Sequence, residues 1–177
     1  MEIEDDFTQK IKLLFILERM EIPLTLNNLV DICTATNSWF AYFDLIKYLQ
    51  ELIEIGFVLE KKEQSTESKY CITADGRSCL GHFEYRIKKN NREEIIAFTQ
   101  ENRLHLKRSQ EYLSEYYKNE DGTYTVVLKI KDPAAIDFLL SMKLKVSNRQ
   151  IALETSKKWI SKAPVIYENV YSNLLDV

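Results

Sequence analysis

The change of apolar period across residues 12–73 constrains this chain more than any other feature. Helical spacing runs through LLFILERM, LTLNNLVDICTAT and a long segment ending LIKYLQELIEIGFV; alternation then takes over on both sides of a charged turn, KEQSTES, up to YCIT. A helix must bury its apolar stripe and a half-polar strand one face, so these elements have to bury those surfaces on one another.

The stripe Ile11, Leu14 and Phe15 predicts a first helix over residues 8–20. Pro23 cannot continue it and biases Ile22 towards an extended conformation, and Thr25 is a good cap for a second helix over 26–35, whose buried face is Leu26, Leu29, Val30 and Cys33. Asn37 or Ser38 caps a third helix that reaches Ile55 and stops at Gly56. Advancing about 100 degrees per residue puts Tyr42, Leu45, Ile46, Leu49, Leu52 and Ile53 on its core face and turns Phe40, Phe43, Asp44, Lys47, Glu51 and Glu54 outward. Strands over 57–63 and 69–73 form a two-stranded wing, and Thr73 caps a further helix carrying Cys79, Leu80, Phe83 and Ile87. Residues 1–87 therefore read as a winged helix-turn-helix domain, and KKNNR at 88–92, polar and aperiodic, as the boundary.

Residues 88–177 read as a small α+β module for dimerisation or sensing. A helix over about 92–118 would align Ile95, Phe98, Leu106, Leu113 and Tyr117, and NEDG at 119–122 is a turn signal. TYTVVLKIKD is a strand, and Ile136, Phe138, Leu140, Met142, Leu144 and Val146 mark alternate positions of a second; with Asp132-Pro133 between them they should pair as an antiparallel hairpin. Residues 148–162 and 164–175 read as two closing helices, with Pro164 in a first turn. The fold class is α+β throughout.

Composition bounds the function. The 177 residues lack the run of roughly 18 apolar residues that a membrane span needs, and the acidic opening MEIEDDF is unlike a signal peptide, so the expectation is a cytoplasmic protein without a membrane partner. Three cysteines, Cys33, Cys71 and Cys79, without a C-x-x-C pair fit reduced thiols. Residues 1–60 hold 4 Lys/Arg against 11 Asp/Glu, a balance of −7, whereas 61–118 balance at +3 and 119–177 at +1. A phosphate-binding surface should be basic, so the acidic part cannot supply most of the affinity for a nucleic acid.

No catalytic constellation is evident. GRSCLG at 76–81 has the glycine spacing of a phosphate loop, but His82-Phe83 stands where Lys-Ser/Thr is required. Cys71, Cys79 and His82 lack the tight paired spacing of metal ligands, and His82 and His105, the two histidines, accompany no nucleophile motif. The expectation is a protein that is not an enzyme and carries no cofactor or metal.

For double-stranded DNA the candidates are specific. Asn37, Ser38, Phe40 and Phe43 open the third helix, whose first residues reach base edges in helix-turn-helix docking; Asn and Ser hydrogen-bond there and Phe touches a thymine methyl. Lys47, then Lys61, Lys62 and Lys69 on the wing, and Arg86, Lys88, Lys89 and Arg92 beyond it are candidate phosphate contacts. A homodimer is expected, because two linked copies gain through effective concentration and match a palindromic site. Two other readings remain: a protein-interaction module whose surface is the outward aromatics of the third helix, and a small-molecule sensor lined by Phe138, Met142, Trp159, Tyr167 and Tyr171.

KLLFILERMEIPLTLNNLVDI, WFAYFDLIKYLQELIEIGFVLE, YCITADGRSCLGHFEYRI, YTVVLKIKD and LSMKLKVSNRQIALETSKKW together resemble a family of Gram-positive anaerobes catalogued as domain of unknown function 4364 and treated as winged-helix transcriptional regulators. The first half is also similar to the PadR and MarR groups of dimeric regulators. These motifs are patterns of core positions, so the resemblance implies fold, domain order and a regulatory role, and no catalytic residue.

Overall fold

The computed structural model describes residues 5–62, 67–132 and 137–175, and its chain forms two compact units, residues 1–103 and 104–177. Both mix helices with a three-stranded sheet, in agreement with the α+β expectation.

Helix α1 (Asp6–Met20) opens the first unit. Asp5 caps it, its carboxylate accepting from the Thr8 amide at 2.8 Å. Ile11 through Leu17 are all buried, so the helix is covered on every side and not only along the stripe that the sequence spacing picks out. A two-residue strand, β1 (Leu24–Thr25), precedes α2 (Leu26–Val30); the Thr25 side chain accepts from the Asn28 amide at 3.2 Å, as its cap role requires. The turn of chain that follows, Asp31–Thr36, is π-helical. Helix α3 (Tyr42–Glu54) ends at Gly56, whose φ of +80° is the left-handed conformation glycine adopts without strain. Strands β2 (Val58–Lys62) and β3 (Ser68–Ile72) pair antiparallel, β1 adds to the far side of β3, and the sheet order is β1-β3-β2. The charged turn between β2 and β3 falls largely outside the described residues.

Helix α4 (Ala74–Phe83) starts at Thr73, whose hydroxyl accepts from the Gly76 amide at 3.1 Å and donates to the Gly56 carbonyl at 2.8 Å. A 3-10 turn, Glu84–Arg86, leads to α5 (Lys89–Glu111). The proposed boundary at 88–92 therefore lies at the start of a helix, and the compact units divide later, between Arg103 and Leu104. That helix also ends sooner than its apolar stripe suggested. Residues Tyr112–Lys118 form strand β4 because Tyr112, Ser114 and Tyr116 pair with Ile130, Leu128 and Val126 of β5 (Tyr124–Lys131), a ladder that offers more burial than continued helix. NEDG is the turn between them, with Gly122 at φ +81° donating to the Asn119 carbonyl at 3.1 Å.

Strand β6 (Phe138–Val146) completes the sheet in the order β4-β5-β6. Pro133 and Ile136 lie outside the described residues. The even-numbered row holds from Leu140 onward, but an irregularity at Ile130/Lys131 pairs Phe138 with Lys131, so Phe138 lies on the opposite face, where the Lys129 ammonium sits 5.1 Å from its ring centroid. The two closing helices are one, α6 (Arg149–Leu174), with Pro164 in its interior. Its Ala152, Trp159 and Ala163 pack on Val126, Leu128 and Ile130, and the Trp159 indole donates to the Lys129 carbonyl at 3.2 Å. Alanines on this face let the helix approach the sheet closely, and Trp159 fills the space between them.

Gly76 and Gly81 test the packing of α4. A Cβ at Gly76 would stand 2.3 Å from the Phe57 carbonyl oxygen and 2.9 Å from Ile72 Cγ1, while one at Gly81 would meet nothing within 4 Å. Gly76→Ala should destabilise the fold by about 1–3 kcal/mol and Gly81→Ala should stabilise it by about 0.5–1 kcal/mol, both read from urea unfolding midpoints.

Candidate nucleic-acid interface

The residues chosen as base readers do not sit together. Helix α3 begins at Tyr42, with Ala41 as its cap, so Asn37, Ser38 and Phe40 precede it. The Asn37 amide donates to the Ile32 carbonyl at 2.8 Å, and Ser38 takes a left-handed φ of +53° and donates to the Thr34 carbonyl. Phe40 is buried, 7% exposed, with its amide bonded to the Cys33 carbonyl and its ring edge-on to Tyr48. The physical reason is Lys12. This lysine is itself buried, donates to the Trp39 carbonyl at 3.1 Å, and holds its ammonium 4.6 Å from the Phe40 ring centroid. A buried ammonium needs such partners, and meeting them draws residues 39 and 40 inward. Trp39 is also engaged: its indole donates to Glu94 at 2.8 Å and its ring meets Phe98 edge-on.

Of the four, Ser38 and Phe43 are exposed, Phe43 at 83%. Tyr42, assigned to the core by helical angle, is instead 51% exposed and packs edge-on against Phe43, because the helix starts too late for its first turn to be covered. Around them α3 shows Asp44 and Glu54 in exposed positions.

Charge on α3 is largely spoken for. Lys47 donates to Asp6 at 2.8 Å, and Glu51 is bridged by Lys10. The hydrogen bond from Lys47, then one from Tyr48, holds the Asp6 carboxyl below the usual range, while burial first and Asp6 second push the Tyr48 phenol up to about 12. Beyond the sheet, Arg86 pairs with Asp5 at 3.0 Å, Lys89 with Glu93 at 3.7 Å and Arg92 with Glu84 at 3.8 Å. These exposed pairs are weak, yet each lowers the positive potential a phosphate would meet.

The hairpin β2–β3 differs. Lys61 stands directly opposite Lys69 across the ladder, and Lys62 opposite Ser68. Like charges facing one another across a sheet oppose folding, and neither Lys61 nor Lys62 has an ion partner among the described residues. Lys69 and Lys88 do have interactions of their own.

The other chemistries find no geometry. GRSCLG lies inside α4, its glycines in a helix and not in a loop. His82 Nδ1 is 2.7 Å from the Ser78 carbonyl, and among the described residues no group of three His, Cys, Asp or Glu side chains is placed to hold a metal ion. Burial pushes the Cys33 thiol up to about 12, far from nucleophilic thiolate. Of the sensor lining, Met142, Trp159 and Tyr167 come together in the core of the second unit, while Phe138 faces the opposite side of the sheet and Tyr171 is 46% exposed against Tyr167. No helix among the described residues is long and apolar enough to cross a membrane.

The molecule is thus a mixed α+β protein of two units whose first unit exposes Lys61 and Lys62 on the hairpin β2–β3. It belongs to the family described as Domain of unknown function (DUF4364), which matches residues 9–174. Comparison with curated proteins and with solved structures gives no match.

Phe40→Ala should cost about 3–5 kcal/mol of folding stability and Phe43→Ala no more than about 0.5 kcal/mol, as measured by denaturant unfolding. The depressed Asp6 carboxyl carries a pH signature. Its stabilisation is present above the ordinary carboxylate pKa of 3.8 and lost as pH falls through the lower folded value. The stability difference between the native chain and Asp6→Asn should therefore be constant near neutrality and shrink below that pH; a difference unchanged down to strong acid would contradict the assignment.

Proposed function

We propose that the first unit is a winged helix that binds double-stranded DNA, and that the protein is a cytoplasmic transcriptional regulator acting as a homodimer. The element order α1-β1-α2-α3-β2-β3 and the sheet order β1-β3-β2 support the winged-helix reading, with β2–β3 as the wing. The observation that carries the function is the exposed pair Lys61 and Lys62 at the end of β2, neither of which has an ion partner among the described residues. Lysines left to solvent on a hairpin can meet a phosphate backbone without first giving up an ion pair.

In this reading the wing provides the phosphate contacts and α3 contributes Phe43, an apolar group for a thymine methyl in the major groove. The carboxylates of α3 repel phosphates, so affinity from one protomer is low and the dimer supplies the rest. Residues 104–177 are the dimerisation unit.

One observation favours a second reading. Tyr42 and Phe43 lie exposed beside Asp44 at the start of α3, a surface suited to a basic, partly apolar protein segment. The two readings separate in salt, because DNA affinity falls steeply with ionic strength and an apolar protein contact does not.

Lys61→Glu with Lys62→Glu should weaken binding to any duplex to a similar degree and flatten the slope of log affinity against log salt by about two per bound protomer. An unchanged slope in a fluorescence-anisotropy titration would remove the wing from the interface.

A further inference from the structure

Strand β6 is an open edge of its sheet, and the side of it that should be dry is not. Across the ladder Val126, Leu128 and Ile130 of β5 are 0%, 2% and 5% exposed, whereas Leu140 and Met142 opposite them are half-buried and Leu144 is 43% exposed. The cause is the placement of α6, which bonds to β4 through Ser114 and the Ser156 carbonyl and to β5 through Trp159, and reaches β6 least. An apolar row and a line of unpaired backbone groups are left on the same edge.

We infer that the occupant of this edge is a second copy of the chain, with β6 pairing antiparallel to its own equivalent about a two-fold axis at Met142. The inference rests on the homodimer reading above and names its surface. The argument is self-complementarity. An axis at Met142 sets Leu140 opposite the partner's Leu144 and Met142 opposite the partner's Met142 on the inner face, so the exposed row is covered by an identical row. On the outer face the same register sets Lys143 opposite the partner's Ser141. Neighbouring registers fail: an axis at Lys143 puts that lysine against itself, and one at Leu144 puts Lys143 against the partner's Lys145. An axis at Ser141 runs into the irregularity at Ile130/Lys131, where the regular ladder ends. Lysines on an edge strand usually guard it against pairing. Here they exclude the wrong registers and spare one. The paired strands would join two three-stranded sheets into one of six.

Sedimentation of the full chain at micromolar concentration tests this, with circular dichroism confirming that each variant is folded. The native chain should be a dimer. Ser141→Lys places a lysine opposite the partner's Lys143 twice per dimer and should raise the dissociation constant roughly tenfold; adding Lys143→Glu to it converts both contacts to opposite charges and should restore the dimer. Leu144→Glu, at a position the monomer leaves exposed, should give a folded monomer. A monomeric native chain would overturn both the dimer reading and this surface. A dimer indifferent to Ser141→Lys and Leu144→Glu would overturn the β6 interface alone, and one weakened by Ser141→Lys without rescue by Lys143→Glu would overturn the register.

Discussion

The first unit depends on a helix whose central turns water does not reach. Helix α1 buries a continuous run from Ile11 to Leu17, which no single neighbour can cover, so α3, β3 and α4 all pack against it. Within that run Lys12 is the exception that sets local structure. Its ammonium takes the Trp39 carbonyl and the Phe40 ring as partners, and those contacts fix the segment between the π-helical turn and α3. Burial of a cation is costly unless it is met in this way, so the start of α3 is decided by a residue near the beginning of the chain.

That constraint explains the surface left for function. Drawing Trp39 and Phe40 inward buries one of the four residues expected to open a recognition helix and leaves Phe43 exposed at the first turn of α3. The ion pairs Lys47–Asp6 and Lys10–Glu51 then tie α3 to α1 and use the helix's own cation internally. Positive charge without an ion partner among the described residues lies on the hairpin, at Lys61 and Lys62. Fold and electrostatics agree: the helix side of the unit is shaped by packing, and the hairpin carries exposed lysines.

Much of this was legible in the sequence, and the failures have physical causes. Caps at Thr25 and Thr73, the glycine stop at Gly56 and the turn at Asn119–Gly122 were readable because each depends on one local hydrogen bond or one left-handed residue. Strand β1 was not, since two residues have no period and only their pairing with Tyr70 and Lys69 makes them a strand. Residues 112–118 misled because their tyrosines and leucine satisfy a helical stripe and a strand face equally, and the ladder with β5 decides between them. Pro164 was read as a helix start because a proline costs an interior hydrogen bond; the burial of Trp159 and Ala163 beside it keeps α6 continuous. Phe138 was placed on the wrong face because a single irregularity shifts alternation invisibly. Of the candidate site, the wing lysines were legible as exposed charge, but the burial of Phe40 followed from Lys12, whose ammonium bonds to the Trp39 carbonyl 27 residues away in sequence.

The central claim is that phosphate contact belongs to the hairpin and that α3 is electrostatically closed. Backbone amide shifts of the full chain, followed by NMR while a duplex of its own upstream region is added at low salt, would test it most directly. The account predicts the largest changes in β2 and β3 around Lys61, Lys62 and Lys69, with smaller ones at Phe43 and little along the acidic remainder of α3. Changes that run along Asp44 to Glu54 and spare the hairpin, or no change at all, would contradict it.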